Sequence, residues 1–139
     1  MKVCVVDASV IAAAFFREEF AEAAVALLAS DRPLHAPDLV IAEVANVIWK
    51  RQRRNEIDDT EAAGLLADFR MLPLRITSAS ELIESAFELA LRTGRTVYDC
   101  LCLALAVKTR SIMVTADKRL VNALVGTPLE KHIVRIGDN

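Results

Sequence analysis

Lys2-Val3-Cys4-Val5-Val6-Asp7-Ala8-Ser9 is the stretch whose reading decides the fold. Val3 to Val6 is an unbroken apolar run rich in β-branched side chains, the pattern of a strand buried on both faces in the middle of a parallel sheet. It ends on Asp7, and two small residues lead from there into a helical pattern. In open α/β sheets, ligands gather outside the carboxyl ends of the strands, near the point where strand order reverses. An acid there is well placed to hold a cation. Asp is also a favoured helix N-cap, so Asp7 alone does not separate chemistry from structure. What decides is whether other lone acids arrive at equivalent places.

Ser111-Ile112-Met113-Val114-Thr115-Ala116-Asp117 repeats the pattern: buried strand, small residue, acid, helix. Two further acids stand inside apolar helices. Glu43 is the only acid between Asp38 and Glu56, in a helix read from Leu39 to Arg54. A carboxylate in such a segment needs a partner or the helix's one wet edge. Asp99 precedes the apolar run from Cys100 to Val107. Thr96 and Asp99 fit a capping box, which would explain Asp99 without chemistry.

The rest of the chain alternates strand and helix. Val10–Phe16 reads as a helix with Ser9 as its N-cap, and Phe20–Ser30 as a second helix. Leu34-His35-Ala36 reads as a brief strand with Asp38 capping the helix after it. Helices are expected over Ile57–Met71, from Ser78 or Ser80 to Thr93 with Gly94 at its C-terminus, and over Lys118–Val125. Short strands are expected at Pro73–Ile76 and Ile133–Ile136. The pattern predicts a three-layer α/β/α sandwich on a mostly parallel sheet of about five strands, as a single domain over residues 1–139.

Composition narrows the function. At 139 residues with 54% hydrophobic side chains, the chain is not disordered. That apolar share exceeds what a small monomer hides with ease, which points to an oligomer or a bound partner. No apolar run reaches membrane-spanning length and the start carries no signal-peptide pattern, so a cytoplasmic protein off the membrane is expected. Cys4, Cys100 and Cys102 fall in apolar segments without metal-binding spacing and read as reduced core thiols. A net charge of −2 and 5% aromatics give neither a basic footprint nor a base-stacking platform. Any RNA contact would have to come from a metal and local cations. Lys50, Arg51, Arg53 and Arg54 at the end of the long helix are candidates, although basic residues there also complement the helix dipole.

Four acids brought together without a compensating basic residue in their motifs would repel one another, and a divalent cation is the usual remedy. All-oxygen ligands favour Mg²⁺ or Mn²⁺, which can activate water against a phosphodiester. In its order of Val-Val-Asp7-Ala-Ser9, Glu43 in an apolar helix, Tyr98-Asp99-Cys100 before an apolar helix, and Val-Thr115-Ala-Asp117, the chain resembles the PIN domain family, and within it the VapC-type toxins of toxin–antitoxin pairs. The resemblance covers essentially the whole chain. It implies a Mg²⁺- or Mn²⁺-dependent ribonuclease with Asp7, Glu43, Asp99 and Asp117 as the catalytic acids. Asp7, Asp99 and Asp117 would hold the metal, and Ser9 and Thr115 would hydrogen-bond the carboxylates. Glu43 would orient or deprotonate the attacking water, or help bind a second metal. The resemblance further implies a homodimer and an antitoxin partner lying across Ile11, Phe15, Phe16 and Phe20.

The competing readings are a non-catalytic PIN-like module binding RNA or protein, and another Mg²⁺-dependent phosphoesterase. The first predicts a lost acid, and none is lost. A dehalogenase-like phosphatase needs a second Asp two residues after the first, where this chain has Ser9. A metal-free ribonuclease needs a histidine acid–base pair. His35 and His132, the only histidines, fall outside the acidic motifs and read as surface or strand-end residues.

Overall fold

The computed structural model describes residues 2–138. Its elements, in chain order, are β1 (Cys4–Val6), α1 (Ala8–Phe15), α2 (Ala21–Ala29), β2 (Leu34–Pro37), α3 (Leu39–Arg53), α4 (Asp59–Arg70), β3 (Leu74–Thr77), α5 (Ala79–Thr93), α6 (Val97–Lys108), β4 (Ile112–Thr115), α7 (Lys118–Ala123) and β5 (Ile133–Arg135), with a 3₁₀ turn at Glu130–His132. The five strands form one sheet in the order β3-β2-β1-β4-β5. Every pairing is parallel, so the sheet is wholly rather than mostly parallel. Right-handed crossovers on either side of β1 place helices on both faces.

Strand order reverses between β1 and β4, and that reversal positions the site. Cys4, Val5 and Val6 are fully buried, as are Val114 and Thr115 at the end of β4. Helix α6 packs across β1, β2 and β4. Cys100 to Ala106 are all buried, which explains why this helix shows no polar face in the sequence. Its first turn carries Asp99. Cys4, Cys100 and Cys102 are buried free thiols.

Several local expectations change. Helix α1 starts at Ala8 and its cap is Asp7, whose carboxylate accepts from the Ser9 and Val10 amides; Ser9 lies inside the helix. Asp38 makes no side-chain cap for α3. Its Oδ1 accepts instead from Ala79 N at 2.9 Å, joining it to the start of α5. Only half of the Thr96–Asp99 box forms: Thr96 Oγ1 accepts from Asp99 N at 3.1 Å, and the Asp99 carboxylate turns elsewhere. Ile11 is fully buried, so it is no part of an open apolar surface. The reason is that α1 packs against both α2 and α3. Apart from Val25 on α2 and Val125 after α7, the exposed large apolar side chains among the described residues lie between α3 and α6, among them Trp49, Leu66, Tyr98, and Ile83, Phe87 and Leu91 along one stripe of α5.

Candidate active site

Asp7 sits at the crevice where the sheet reverses, and its carboxylate is held by the first turn of α1 and by the end of β4. Oδ1 accepts from Ser9 N (3.1 Å), Val10 N (3.4 Å) and the Ser9 hydroxyl. Oδ2 accepts from Thr115 Oγ1 at 2.6 Å. The two hydroxyls are themselves oriented by backbone. Ser9 Oγ accepts from Ala116 N (2.9 Å) and Thr115 Oγ1 from Asp117 N (3.1 Å). Burial pushes the Asp7 carboxyl up, and these hydrogen bonds pull it back toward ionisation. With one bond accepted, Oδ2 keeps a lone pair for a further partner.

Glu43 projects from α3 toward this group. Burial is the larger cause raising its carboxyl, and the charges of Asp7 and then Asp99 add to it. Asp99 is likewise pushed up by burial and, to a smaller degree, by Asp117, with Arg95 acting in the opposite direction. Cys102, on α6, is pushed well above the ordinary thiol range by burial and by Asp7, Glu43 and Asp99. The structure therefore brings all four acids into one electrostatic neighbourhood. The hydroxyls of Ser9 and Thr115 tie the start of α1 to the end of β4 around Asp7.

Asp117 has a structural role as well. Its Oδ1 caps α7 by accepting from Arg119 N (3.0 Å) and Leu120 N (3.2 Å). Both strand-end acids are thus N-caps as well as members of the cluster, and neither reading excludes the other.

Two cations missed in the sequence flank the acids. Arg95, four residues before Asp99, lies 3.7 Å from Asp99 Oδ2. Its i,i+4 spacing was the available signal. Arg135, at the end of β5, is in register with Thr115 and lines a cavity with Ser9 and Asp117. Only the strand pairing reveals it. Of the basic run on α3, Lys50, Arg53 and Arg54 are exposed. Arg51 is engaged with Glu18 (3.0 Å) and Glu56 (2.9 Å), and its guanidinium lies 4.5 Å from the Phe16 ring centre. His35 is half-buried within β2 rather than at a strand end, and His132 Nδ1 faces Ser111 O at 3.0 Å.

The donors are carboxylate and hydroxyl oxygens, the chemistry of a hard divalent cation. Among the described residues no three His, Cys, Asp or Glu side chains stand close enough to enclose an ion by themselves. Such an open arrangement suits Mg²⁺, which usually keeps several waters and takes one or two carboxylates. Asp7, Asp99 and Asp117 could hold it, in part through such waters.

Comparison with known proteins agrees with this fold. The PIN domain family signature matches residues 4–123. Ribonuclease VapC3 of Pyrobaculum aerophilum is 40% identical over 118 residues, covering 84% of this chain and 90% of that protein. Two solved structures share the fold. A protein from Pyrobaculum aerophilum superposes with a TM-score of 0.71 at 20% identity, over 98% of this chain and 85% of that one. A toxin–antitoxin complex from Klebsiella pneumoniae superposes with a TM-score of 0.64 at 17% identity, over 94% and 95% of the two chains. This chain belongs to the PIN domain family, and within it stands with the VapC proteins.

Proposed function

We propose that this chain is the toxin of a toxin–antitoxin pair, a Mg²⁺- or Mn²⁺-dependent endoribonuclease acting in the cytoplasm. The observation that carries the reading is the sharing of one electrostatic neighbourhood by Asp7, Glu43, Asp99 and Asp117 at the sheet's reversal point, with Asp7 gripped by the hydroxyls of Ser9 on α1 and Thr115 on β4. The 40% identical relative named a ribonuclease supports the reaction class. The toxin–antitoxin complex sharing the fold supports an antitoxin partner.

A bound Mg²⁺ or Mn²⁺ would neutralise the carboxylates and supply an activated water for attack on phosphorus. Asp7, Asp99 and Asp117 would hold that ion, directly or through water. Ser9 and Thr115 fix the orientation of Asp7, a supporting task on which metal affinity depends. Glu43, made more basic by burial and further by Asp7 and Asp99, would take a proton from the attacking water at its carboxylate. The water oxygen forms the new bond to phosphorus as the bond to the 3′-oxygen breaks. The 3′-oxygen would take up a proton from solvent as it leaves, giving 5′-phosphate and 3′-hydroxyl ends. Lys50, Arg53 and Arg54 offer open cations to the RNA backbone, whereas Arg51 braces α3 against Glu18 and Glu56. The apolar stripe of Ile83, Phe87 and Leu91 on α5 is the face for a second copy of the chain in a homodimer.

Expressing the chain alone in bacteria tests the reading. Growth arrest with discrete RNA fragments, both absent for Asp99→Asn, is the expected result. Normal growth with intact RNA from a well-expressed wild-type protein would overturn it.

A further inference from the structure

Beside the acids lies a cavity of about 460 Å³, bounded by the turn between α1 and α2, by Val47 of α3 and by Ala116, Asp117 and Arg135. Among the described residues lining it Arg135 is the one cation, set among the carboxylates of Glu18, Glu19 and Asp117, and three observations show that it is held there. Its register with Thr115 puts both side chains on the same face of the sheet. Its guanidinium stacks on Phe20, 4.6 Å from the ring centre. That ring is fixed in turn by Gly137, where a Cβ would come within 2.8 Å of it and where φ is +92°.

The guanidinium is held but only lightly paired. Its Nε is buried with no hydrogen-bond partner among the described residues. Among the described residues the one carboxylate within 4 Å of it is Glu19, at 3.7 Å with the Glu19 side chain 76% exposed. Glu18, the other acid of the turn, is already paired with Arg51. A partly buried guanidinium, 21% exposed and held by only one exposed carboxylate, can turn its terminal amino groups to an anion beside the acids, and its planar fork matches a phosphate.

We propose that this cavity is a backbone subsite for the RNA strand, in which Arg135 binds a phosphate next to the one being cleaved. The proposal rests on the ribonuclease reading above. The acids carry the chemistry, and Arg135 sets where the strand lies by offsetting the repulsion that they impose on neighbouring phosphates. Glu19 holds the guanidinium in the absence of RNA and yields it to the stronger anion.

The test uses a short fluorescein-labelled single-stranded RNA of randomised sequence, with affinity measured by anisotropy in EDTA across a series of KCl concentrations. Wild type is compared with Arg135→Met, Arg135→Lys and Glu19→Gln, and thermal melts confirm folding. Loss of one single-strand phosphate contact lowers the slope of log affinity against log salt by about 0.7. Arg135→Met should show that drop with several-fold weaker binding, and Arg135→Lys should restore the slope. Glu19→Gln, at an exposed position, should bind RNA more tightly, and should not do so when combined with Arg135→Met. A slope unchanged in Arg135→Met, or a Glu19→Gln effect independent of Arg135, would overturn the subsite and leave Arg135 as a strut between Phe20 and Glu19. Cleavage of total RNA by wild type with Mn²⁺ is scored in parallel. Cleavage with an unchanged slope removes the subsite alone. An Arg135-dependent slope without cleavage removes the ribonuclease reading and leaves an anion site.

Discussion

Thr115 Oγ1 donates to Asp7 Oδ2 at 2.6 Å, joining the ends of two adjacent strands that lie 108 residues apart in the chain. Thr115 is fully buried, so this bond cannot be replaced by water. Thr115→Val keeps the shape and removes the hydroxyl. It leaves the Asp7 oxygen and the Asp117 amide short of a partner, at a cost of about 1–3 kcal/mol. Activity should fall about 10–100-fold, as for other residues that orient a metal ligand. Chemical denaturation and RNA cleavage by the same preparation check both. Wild-type activity in Thr115→Val would mean that the Asp7 orientation does not matter.

Glu43 gives a pH prediction in the metal-free protein. Its folded-state carboxyl is raised by burial and by Asp7 and Asp99. The unfolded chain therefore gives up this proton at lower pH than the folded one, and stability falls as pH rises through the interval between the two values. Glu43→Gln removes that penalty. In EDTA its Tm should exceed that of wild type at pH 7.5, and the gap should close below the ordinary glutamate range. A gap of equal size at acid and neutral pH would contradict the charge-based account.

Arg95 is the counter-cation of Asp99 in the metal-free state. Both side chains are roughly one-third exposed, so the pair is screened and worth at most about 1 kcal/mol. Arg95→Ala should melt below wild type in EDTA, and saturating Mn²⁺ should narrow the difference by neutralising the same carboxylate. Melting curves with and without Mn²⁺ distinguish this from a packing defect, for which the difference would persist.

The exposed stripe of α5 carries the dimer expectation. Leu91 is 72% and Phe87 55% exposed, in line along one helix face. Phe87→Glu and Leu91→Glu should leave the folded protein monomeric in light scattering. A dimer that survives both changes must use another face.

Where sequence and structure agree, the signal was local. A buried apolar strand ending in Asp7 or Asp117 announces itself within eight residues. So does Asp58, whose capping box with Glu61 opens α4. Long-range pairing is what the pattern could not show. Asp38 looks like the cap of the helix beside it, yet its carboxylate serves Ala79, 41 positions on. Ser9 stands where a cap is expected, but Asp7 fills that role and frees the Ser9 hydroxyl to bridge to Ala116. Arg51 reads as one of a free basic run, and only the fold brings Glu18 against it. Phe16 and Phe20 read as an open apolar face, until the guanidinium groups of Arg51 and Arg135 are found stacked on them. Each of these depends on which strand lies beside which, and that is set by the whole chain.

Cleavage of total cellular RNA by the purified chain, free of any bound partner, tests the central claim most directly. It would be run with Mg²⁺ or Mn²⁺, with EDTA, and with Asp7→Asn and Asp99→Asn. The account predicts discrete fragments bearing 5′-phosphates, lost in EDTA and reduced at least about 100-fold in both variants. Fragments that persist in EDTA, or that Asp7→Asn and Asp99→Asn produce at the wild-type rate, would contradict it.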